Sequence, residues 1–252
     1  EVSVHGRKKL HGIICTLPPH LQEAGESQKV MKMKDMCIDL GMPADKVKEL
    51  VRVGDLITFI SPLVSMQGSL VNGKSLDDRA SVVLLVEVMK ELDRLQYQAE
   101  VVCVATVQEE VGTRGAIISS YSTEPDIGIA IDVTHGETPD ASKEDTHPMD
   151  KGVVCKGPNM HPGLTDKFLD VAKEFGMECL IEIEPRPTGT DARSIQISRS
   201  GVPTILLAIP LRYMHTTVET MNMEHIKSGA RLIALFIASL KEGWQMTEES
   251  FI

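Results

Sequence analysis

The sequence predicts an α/β fold in which a mainly parallel sheet is flanked by helices. After residue 72, short apolar segments alternate with longer segments whose apolar residues recur at helical spacing. The short segments are almost continuously apolar, which is typical of strands buried on both faces of a sheet. Because strands separated by helices are joined by crossovers, this alternation favours a parallel sheet with helices on both faces.

The first four elements lie between residues 79 and 134. A helix is predicted over 79–92, where apolar residues at helical spacing follow a Leu-Asp-Asp turn. The next apolar segment, 100–107, predicts a strand. A short helix over 115–122 and a second strand over 126–134 complete this half of the alternation.

Five further elements continue the alternation towards residue 243. Gly176 is the expected C-cap of the first of them, and Thr190 stands near the N-cap of the third. The last element is long and amphipathic. The five are a helix over 163–176, a strand over 180–185, a helix over 190–200, a strand over 203–210 and a helix over 223–243.

Residues 1–72 differ from the rest of the chain. They contain short β-like segments separated by Gly, Pro and charged residues, and "PADKVKELV" predicts one short helix. We therefore expect a small β-rich domain over 1–72 and an α/β domain over 73–252, with the junction near "LVNGKSLDD".

Composition excludes several classes of protein. The formal net charge is −10. Hydrophobic residues make up 42% of the chain and charged residues 25%, which is ordinary for a globular protein. Because nucleic acids and anionic membranes bind basic surfaces, neither is an expected partner. No apolar segment approaches the roughly 20 residues of a membrane span. The cysteines form no CxxC pair, and this pattern predicts free thiols in a protein of the reducing cytoplasm. They are Cys15, Cys37, Cys103, Cys155 and Cys179.

Carboxylate and imidazole side chains come from four separate segments at the ends of predicted elements. In open α/β sheets, ligands bind outside the carboxyl ends of the strands, so these side chains are expected at one edge. Oxygen ligands with a few imidazoles suit zinc, cobalt or manganese, and a pair of metal ions would account for the crowded carboxylates. The residues are Asp77 and Asp78 before the first helix, Glu109 and Glu110 after one strand, Asp132 in the next, and His215 after the last.

Other interpretations of these residues remain open at this point. Adjacent glutamates after a strand are often solvated loop residues. An aspartate beside a helix or strand end is often a local cap. A single histidine such as His215 is often a surface or hydrogen-bonded residue. The metal-site interpretation depends on the convergence of all four segments.

Five motifs closely resemble a known family. They are "GKSLDDR", "VQEEVGTRGA", "IAIDVTH", "GTDARSIQISRSGVPT" and "RYMHTTVE", in that order. The family is that of the dinuclear metallo-aminopeptidases, which includes the TET-type enzymes and glutamyl aminopeptidases, with some members called cellulase M or endoglucanase. The resemblance implies a metallo-exopeptidase-like catalytic α/β domain with an inserted β-barrel-like dimerisation domain, and 1–72 would be most of the insert.

The resemblance also implies a role for each residue of the candidate site. Asp77 resembles the metal-bridging ligand, and the Asp77–Asp78 peptide bond is expected to be cis. Glu109 resembles the general base, and Glu110 a ligand of one metal ion. Asp132 resembles a ligand of the other ion, and His215 the final ligand, on the same ion as Glu110. Arg193, in "TDARS", is a candidate substrate-binding residue.

The function implied is an aminopeptidase that releases the N-terminal residue of short peptides, using water activated by two divalent ions of zinc, cobalt or manganese. Homodimers would assemble into a homododecamer. A glycoside hydrolase is the first alternative, although only 4% of the residues are aromatic. A non-catalytic assembly module is the second.

One feature of the family is missing from this sequence. The family carries a further metal-binding histidine in a His-Met-Asp segment upstream of the inserted domain. This chain contains neither that segment nor the early strands of the catalytic sheet. We therefore expect the activity to belong to a longer polypeptide of which this chain is a part.

Overall fold

A computed structural model describes residues 1–21 and 30–241, which divide into two units. The first unit is Glu1–Pro62, and the second begins at Leu63. Residues 63–72 therefore group with the second unit by their contacts, and the assignment of 1–72 to a dimerisation domain stays a prediction. Among the described residues, no helix combines the length and apolar character needed to span a membrane.

The first unit contains an open, antiparallel, four-stranded sheet in the order β3-β2-β1-β4. Val2 and Val4 on the interior strand β1 pack with Leu10 in a small buried core. The elements are β1 (Val2–His5), β2 (Lys9–Cys15), β3 (Cys37–Asp39), α1 (Ala44–Leu50) and β4 (Leu56–Phe59). The barrel-like shape implied by the resemblance is not found in this described part, because β3 and β4 end the sheet instead of pairing with each other.

The second unit contains a seven-stranded sheet with helices. Its elements are β5 (Val64–Ser65), β6 (Leu70–Gly73), α2 (Leu76–Leu92), α3 (Arg114–Thr123), β7 (Gly128–His135), β8 (Gly152–Lys156), α4 (Pro162–Glu174), β9 (Cys179–Ile183), α5 (Asp191–Ile195), β10 (Thr204–Arg212), β11 (Glu219–Asn222) and α6 (Glu224–Ser239). The helix predicted over 223–243 corresponds to α6, and residues 242–243 lie outside the described residues. Gly176 takes a φ of +66° directly after the C-cap Phe175 of α4.

The prediction of a mainly parallel sheet is wrong, because this sheet is mixed. β7 pairs with β10 and β8 pairs with β9 in parallel, whereas β10 pairs with both β8 and β11 in the antiparallel sense. β11 returns along β10 after a short connection, and such a connection permits only antiparallel pairing. Neither β8 nor β11 was predicted; β11 is short and polar in sequence, yet three of its four residues are buried.

Two predicted elements differ from the structure for identifiable reasons. Residues 100–107 are not a strand, because no described segment forms a ladder with them, and the side chains of Val102 and Val107 are exposed. The helix predicted over 190–200 ends at Ile195. There the chain turns back, with Gly201 at a φ of +102° and the Val202 amide donating to the Gln196 carbonyl.

The main core of the second unit lies where α2, α4 and α6 cover one face of the sheet. Phe168 of α4 and Phe236 of α6 are fully buried and make an edge-to-face contact with their ring centroids 5.2 Å apart. Leu84 and Val88 of α2 are buried in the same cluster. This packing anchors α2, whose first residues carry Asp77 and Asp78.

Candidate metal centre

Three predicted ligands meet in the second unit. Asp77 at the start of α2, Glu110 in a helical turn after 100–107, and His215 after β10 each offer one ligand atom. These atoms all lie within 4.8 Å of one another. His215 Nε2 is 3.2 Å from Asp77 Oδ2 and 3.7 Å from Glu110 Oε2. The Asp77 side chain is only 8% exposed, whereas Glu110 and His215 are exposed.

Asp132 lies beside this group but is not a member of it. Asp132 is on β7, where its Oδ1 accepts a hydrogen bond of 2.8 Å from the Val133 amide. Burial raises the pKa of Asp132 to about 8, and the charges of Asp78, Glu109 and Asp77 contribute to this rise. The structure therefore brings Asp132 within electrostatic reach of the other acids.

Burial and mutual repulsion shift the other carboxyls in the same direction. The pKa of Glu109 is raised to about 7 by burial and by the charges of Asp191, Glu110 and Asp77. The pKa of Asp77 is raised to about 6 by burial and by the charge of Glu110. Burial is the largest cause for both groups, the neighbouring carboxylates add to it, and the charge of His215 opposes the rise.

The backbone is unusual in the three segments that carry Asp77, Glu110 and His215. The Asp77–Asp78 peptide bond is cis, as the resemblance implies. Ser75 and Gln108, which lie two residues before the predicted ligands Asp77 and Glu110, have φ near +59°, and His215 itself has a φ of +61°. Non-glycine residues in this left-handed region are uncommon and cluster at functional sites.

Glu219, on β11, is a positioning residue that the sequence analysis did not identify. It is only 3% exposed. Its Oε2 accepts hydrogen bonds from the amides of Leu76 at 2.6 Å and Asp77 at 3.1 Å, and its Oε1 accepts one from His215 at 3.2 Å. One buried carboxylate thus holds the backbone of both Asp77 and His215. The available signal was the Glu of the "RYMHTTVE" motif.

The loop that carries Glu109 and Glu110 is held by a close backbone approach. The Gly115 amide donates to the Val107 carbonyl at 2.9 Å, and a Cβ at Gly115 would lie 2.5 Å from backbone atoms of Val107. Glycine is therefore required there. Nearby, Asp191 accepts a hydrogen bond of 2.6 Å from Thr106, and its charge acts on Glu109. Asp191 stands in the motif "GTDARSIQISRSGVPT", but no role was predicted for it.

The sequence profile of the M42 glutamyl aminopeptidase family matches residues 1–232. The chain belongs to this family. A lysyl aminopeptidase from Pyrococcus furiosus is 33% identical over 235 residues, which cover 92% of this chain and 67% of that protein. The chain spans about two thirds of the length of the relatives that it matches.

Solved structures of TET peptidases share this fold. The TET aminopeptidase from the marine sediment archaeon Thaumarchaeota archaeon SCGC AB-539-E09 superposes with a TM-score of 0.85 at 29% identity, covering 96% of this chain and 70% of that one. The TET1 peptidase of Pyrococcus horikoshii, which can assemble into a tetrahedron or a large octahedral shell, has a TM-score of 0.78 at 28% identity, with 95% and 72% covered.

The donor set of this M42 chain fits a divalent ion. Carboxylate oxygens and one imidazole converge on a common point, and these ligand types suit zinc, cobalt or manganese. Burial raises the pKa of Asp77 to about 6 and of Asp132 to about 8, and nearby positive charge would favour the ionised form of both carboxyls. Arg193 lies exposed in α5, and its assignment to substrate binding stays a prediction.

Proposed function

We propose that the complete polypeptide containing this chain is a metal-dependent aminopeptidase that releases the N-terminal residue of short peptides. The observation that carries the proposal is the convergence of Asp77, Glu110 and His215 beside Glu109 and Asp132. Membership of the M42 family supports it, as does the aminopeptidase activity in the names of the relatives.

Four residues of this chain would hold two divalent ions of zinc, cobalt or manganese. Asp77 would bridge them, Glu110 and His215 would complete one side, and Asp132 would bind the other. When bound, such ions polarise a peptide carbonyl and lower the pKa of water. Glu219 would keep Asp77 and His215 in their relative positions, because it accepts hydrogen bonds from the backbone amides of both residues.

Glu109 is the proposed general base. Its carboxylate would accept a proton from the attacking water and pass that proton to the leaving amide nitrogen. A carboxylate suits both transfers, because it can accept a proton from water and then release that proton to the departing amine. The excess of carboxylates around it would attract the free ammonium group of a peptide N-terminus.

We also propose that the complete protein forms homodimers that assemble into a homododecamer in the cytoplasm, with residues 1–72 in the dimerisation domain. The assembly of the P. horikoshii TET1 peptidase supports this proposal. Light scattering of the purified full-length protein is expected to give a mass near twelve chains. A monomeric mass at micromolar concentration would contradict it.

Removal of metal from the full-length protein is expected to lower hydrolysis of aminoacyl-anilides by more than about a hundredfold. Adding back zinc, cobalt or manganese should restore the rate, because the carboxylates and His215 bind such ions. The same substrates with acetylated N-termini should resist hydrolysis. The measurement is the initial rate before chelation, after chelation and after metal is added back.

Two results would favour the alternatives. Hydrolysis of cello-oligosaccharides that survives chelation would favour a glycoside hydrolase, because carboxylate pairs in such enzymes act without metal. A full-length protein that binds no metal and hydrolyses neither substrate would favour an assembly module.

A further inference from the structure

A second group of polar side chains lies next to the proposed metal site and has no role in the proposed hydrolysis. It consists of Thr134, Glu182, His147 and Cys155, which meet around the Glu182 carboxylate. Thr134 lies two residues beyond Asp132 on β7, so the two side chains share one face of the strand, with Cα atoms roughly 7 Å apart. The group therefore adjoins the place where a substrate would bind.

The two oxygens of Glu182 have different surroundings. Oε1 accepts a hydrogen bond of 2.9 Å from the Thr134 hydroxyl and lies 3.2 Å from His147 Nε2. Oε2 contacts the Cys155 thiol at 3.4 Å, and a thiol is a weak donor. Thr134 and His147 thus fix the orientation of the carboxylate, whereas Oε2 keeps capacity for a stronger donor.

The region between Asp132 and Glu182 is strongly acidic. Burial raises the pKa of the Cys155 thiol, and the charges of Glu182, Glu184 and Asp132 raise it further. Cys155 therefore stays a neutral thiol, and it lies within reach of carboxylates from both the metal side and the Glu182 side. A cationic group placed here would be favoured.

We propose that Glu182 determines substrate preference by binding the cationic side chain of a lysine or arginine at the N-terminus of the peptide. This inference rests on the proposed aminopeptidase function. The scissile bond would lie at the carboxylates around Asp77 and Asp132, and the flexible four-carbon stem of a lysine would extend along β7 to Oε2 of Glu182. The Glu182 side chain is 18% exposed, so the carboxylate is partly desolvated, which strengthens a charge-assisted hydrogen bond.

The test compares Glu182→Gln with the wild-type full-length protein on lysyl-, arginyl-, leucyl- and glutamyl-anilides. The wild type is expected to have higher kcat/KM for the lysyl and arginyl substrates than for the other two. Loss of one charge-assisted hydrogen bond should lower these two values by about 10- to 100-fold, with the leucyl value changed less than about threefold. The matched control is Glu178→Gln, because Glu178 is 72% exposed just before β9 and should leave all four values unchanged.

Two outcomes would overturn the inference. One is a wild type without preference for cationic residues. The other is an equal loss on all four substrates in Glu182→Gln, which would indicate a structural role for the Thr134–Glu182–His147 contacts. If no anilide is hydrolysed at all, the proposed function fails separately. In that case, calorimetry measures the affinities of the metal-loaded wild type and of Glu182→Gln for lysine amide and leucine amide. A preference for lysine amide that Glu182→Gln loses would still show that Glu182 selects a cation.

Discussion

Replacing Glu109 by glutamine in the full-length protein is expected to lower kcat by about a hundredfold to ten-thousandfold while metal content stays at the wild-type level. Glutamine keeps the shape and one acceptor oxygen of glutamate but cannot take a proton from water. Glu109 is not among the three clustered residues that are proposed ligands, so its loss should not release metal. The measurements are kcat on an aminoacyl-anilide and metal content of the same sample.

The adjacent residue provides the matched comparison. Glu110→Gln changes the same functional group one position along the chain, but Glu110 belongs to the cluster with Asp77 and His215. This variant is expected to lose metal as well as activity, and high metal concentration should partly restore its rate. If Glu109→Gln keeps a wild-type rate with metal bound, the general base is a different group. If both variants lose metal equally, Glu109 is a ligand.

The convergence of Asp77 and His215 was predictable because each lies at the end of a recognisable element, whereas Glu110 was placed after a predicted strand over 100–107 that the structure does not contain. Asp77 begins a helix with clear apolar periodicity, and His215 follows a continuously apolar strand. Such elements are recognisable from local sequence, and their ends mark one edge of the sheet. The distances, and the separation of Asp132 from the three-residue cluster, depend on tertiary packing that spacing does not encode.

Other features depend on tertiary contacts that the local pattern of apolar residues does not specify, although Glu219 stands in the motif "RYMHTTVE". In the sequence, Glu219 is a polar residue of a turn-rich segment. In the structure, β11 pairs with β6 and β10, and the buried Glu219 side chain accepts hydrogen bonds from the amides of Asp77 and His215. The Glu182 group joins β7, β8, β9 and a loop through side-chain contacts between residues far apart in sequence. Sheet direction was mispredicted for a related reason, since alternation of strands and helices does not reveal which strands become neighbours.

The stability of the metal-free protein is expected to fall as the pH rises from about 5 to 8, and bound metal should oppose this fall. Burial is the largest cause that raises the folded-state pKa of four carboxyls: Asp77 to about 6, Asp78 and Glu109 to about 7, and Asp132 to about 8. In the unfolded chain these groups titrate near their ordinary values, 3.8 for aspartate and 4.5 for glutamate.

The direction in which the free energy of unfolding changes with pH follows from the number of protons that each state binds. Between these two ranges the folded state holds more protons than the unfolded state, so the free energy of unfolding decreases as pH increases. The contribution is fully present below the unfolded pKa values and is lost as the pH passes through 6 to 8. A bound divalent ion needs the deprotonated carboxylates, so its stabilising effect should instead grow over the same interval.

The measurement is the Tm of the full-length protein at pH 5, 6.5 and 8, with chelator and with added zinc, cobalt or manganese. The Tm difference between the two conditions should widen with pH. Asp132→Asn removes the carboxyl with the most raised pKa and should flatten the metal-free slope, whereas Asp126→Asn, at an exposed position just before β7, should not. A metal-free Tm that rises steadily to pH 8 would mean that these acids are already ionised without a cation. Groups of the protein other than a bound metal ion would then compensate the charges of these carboxylates.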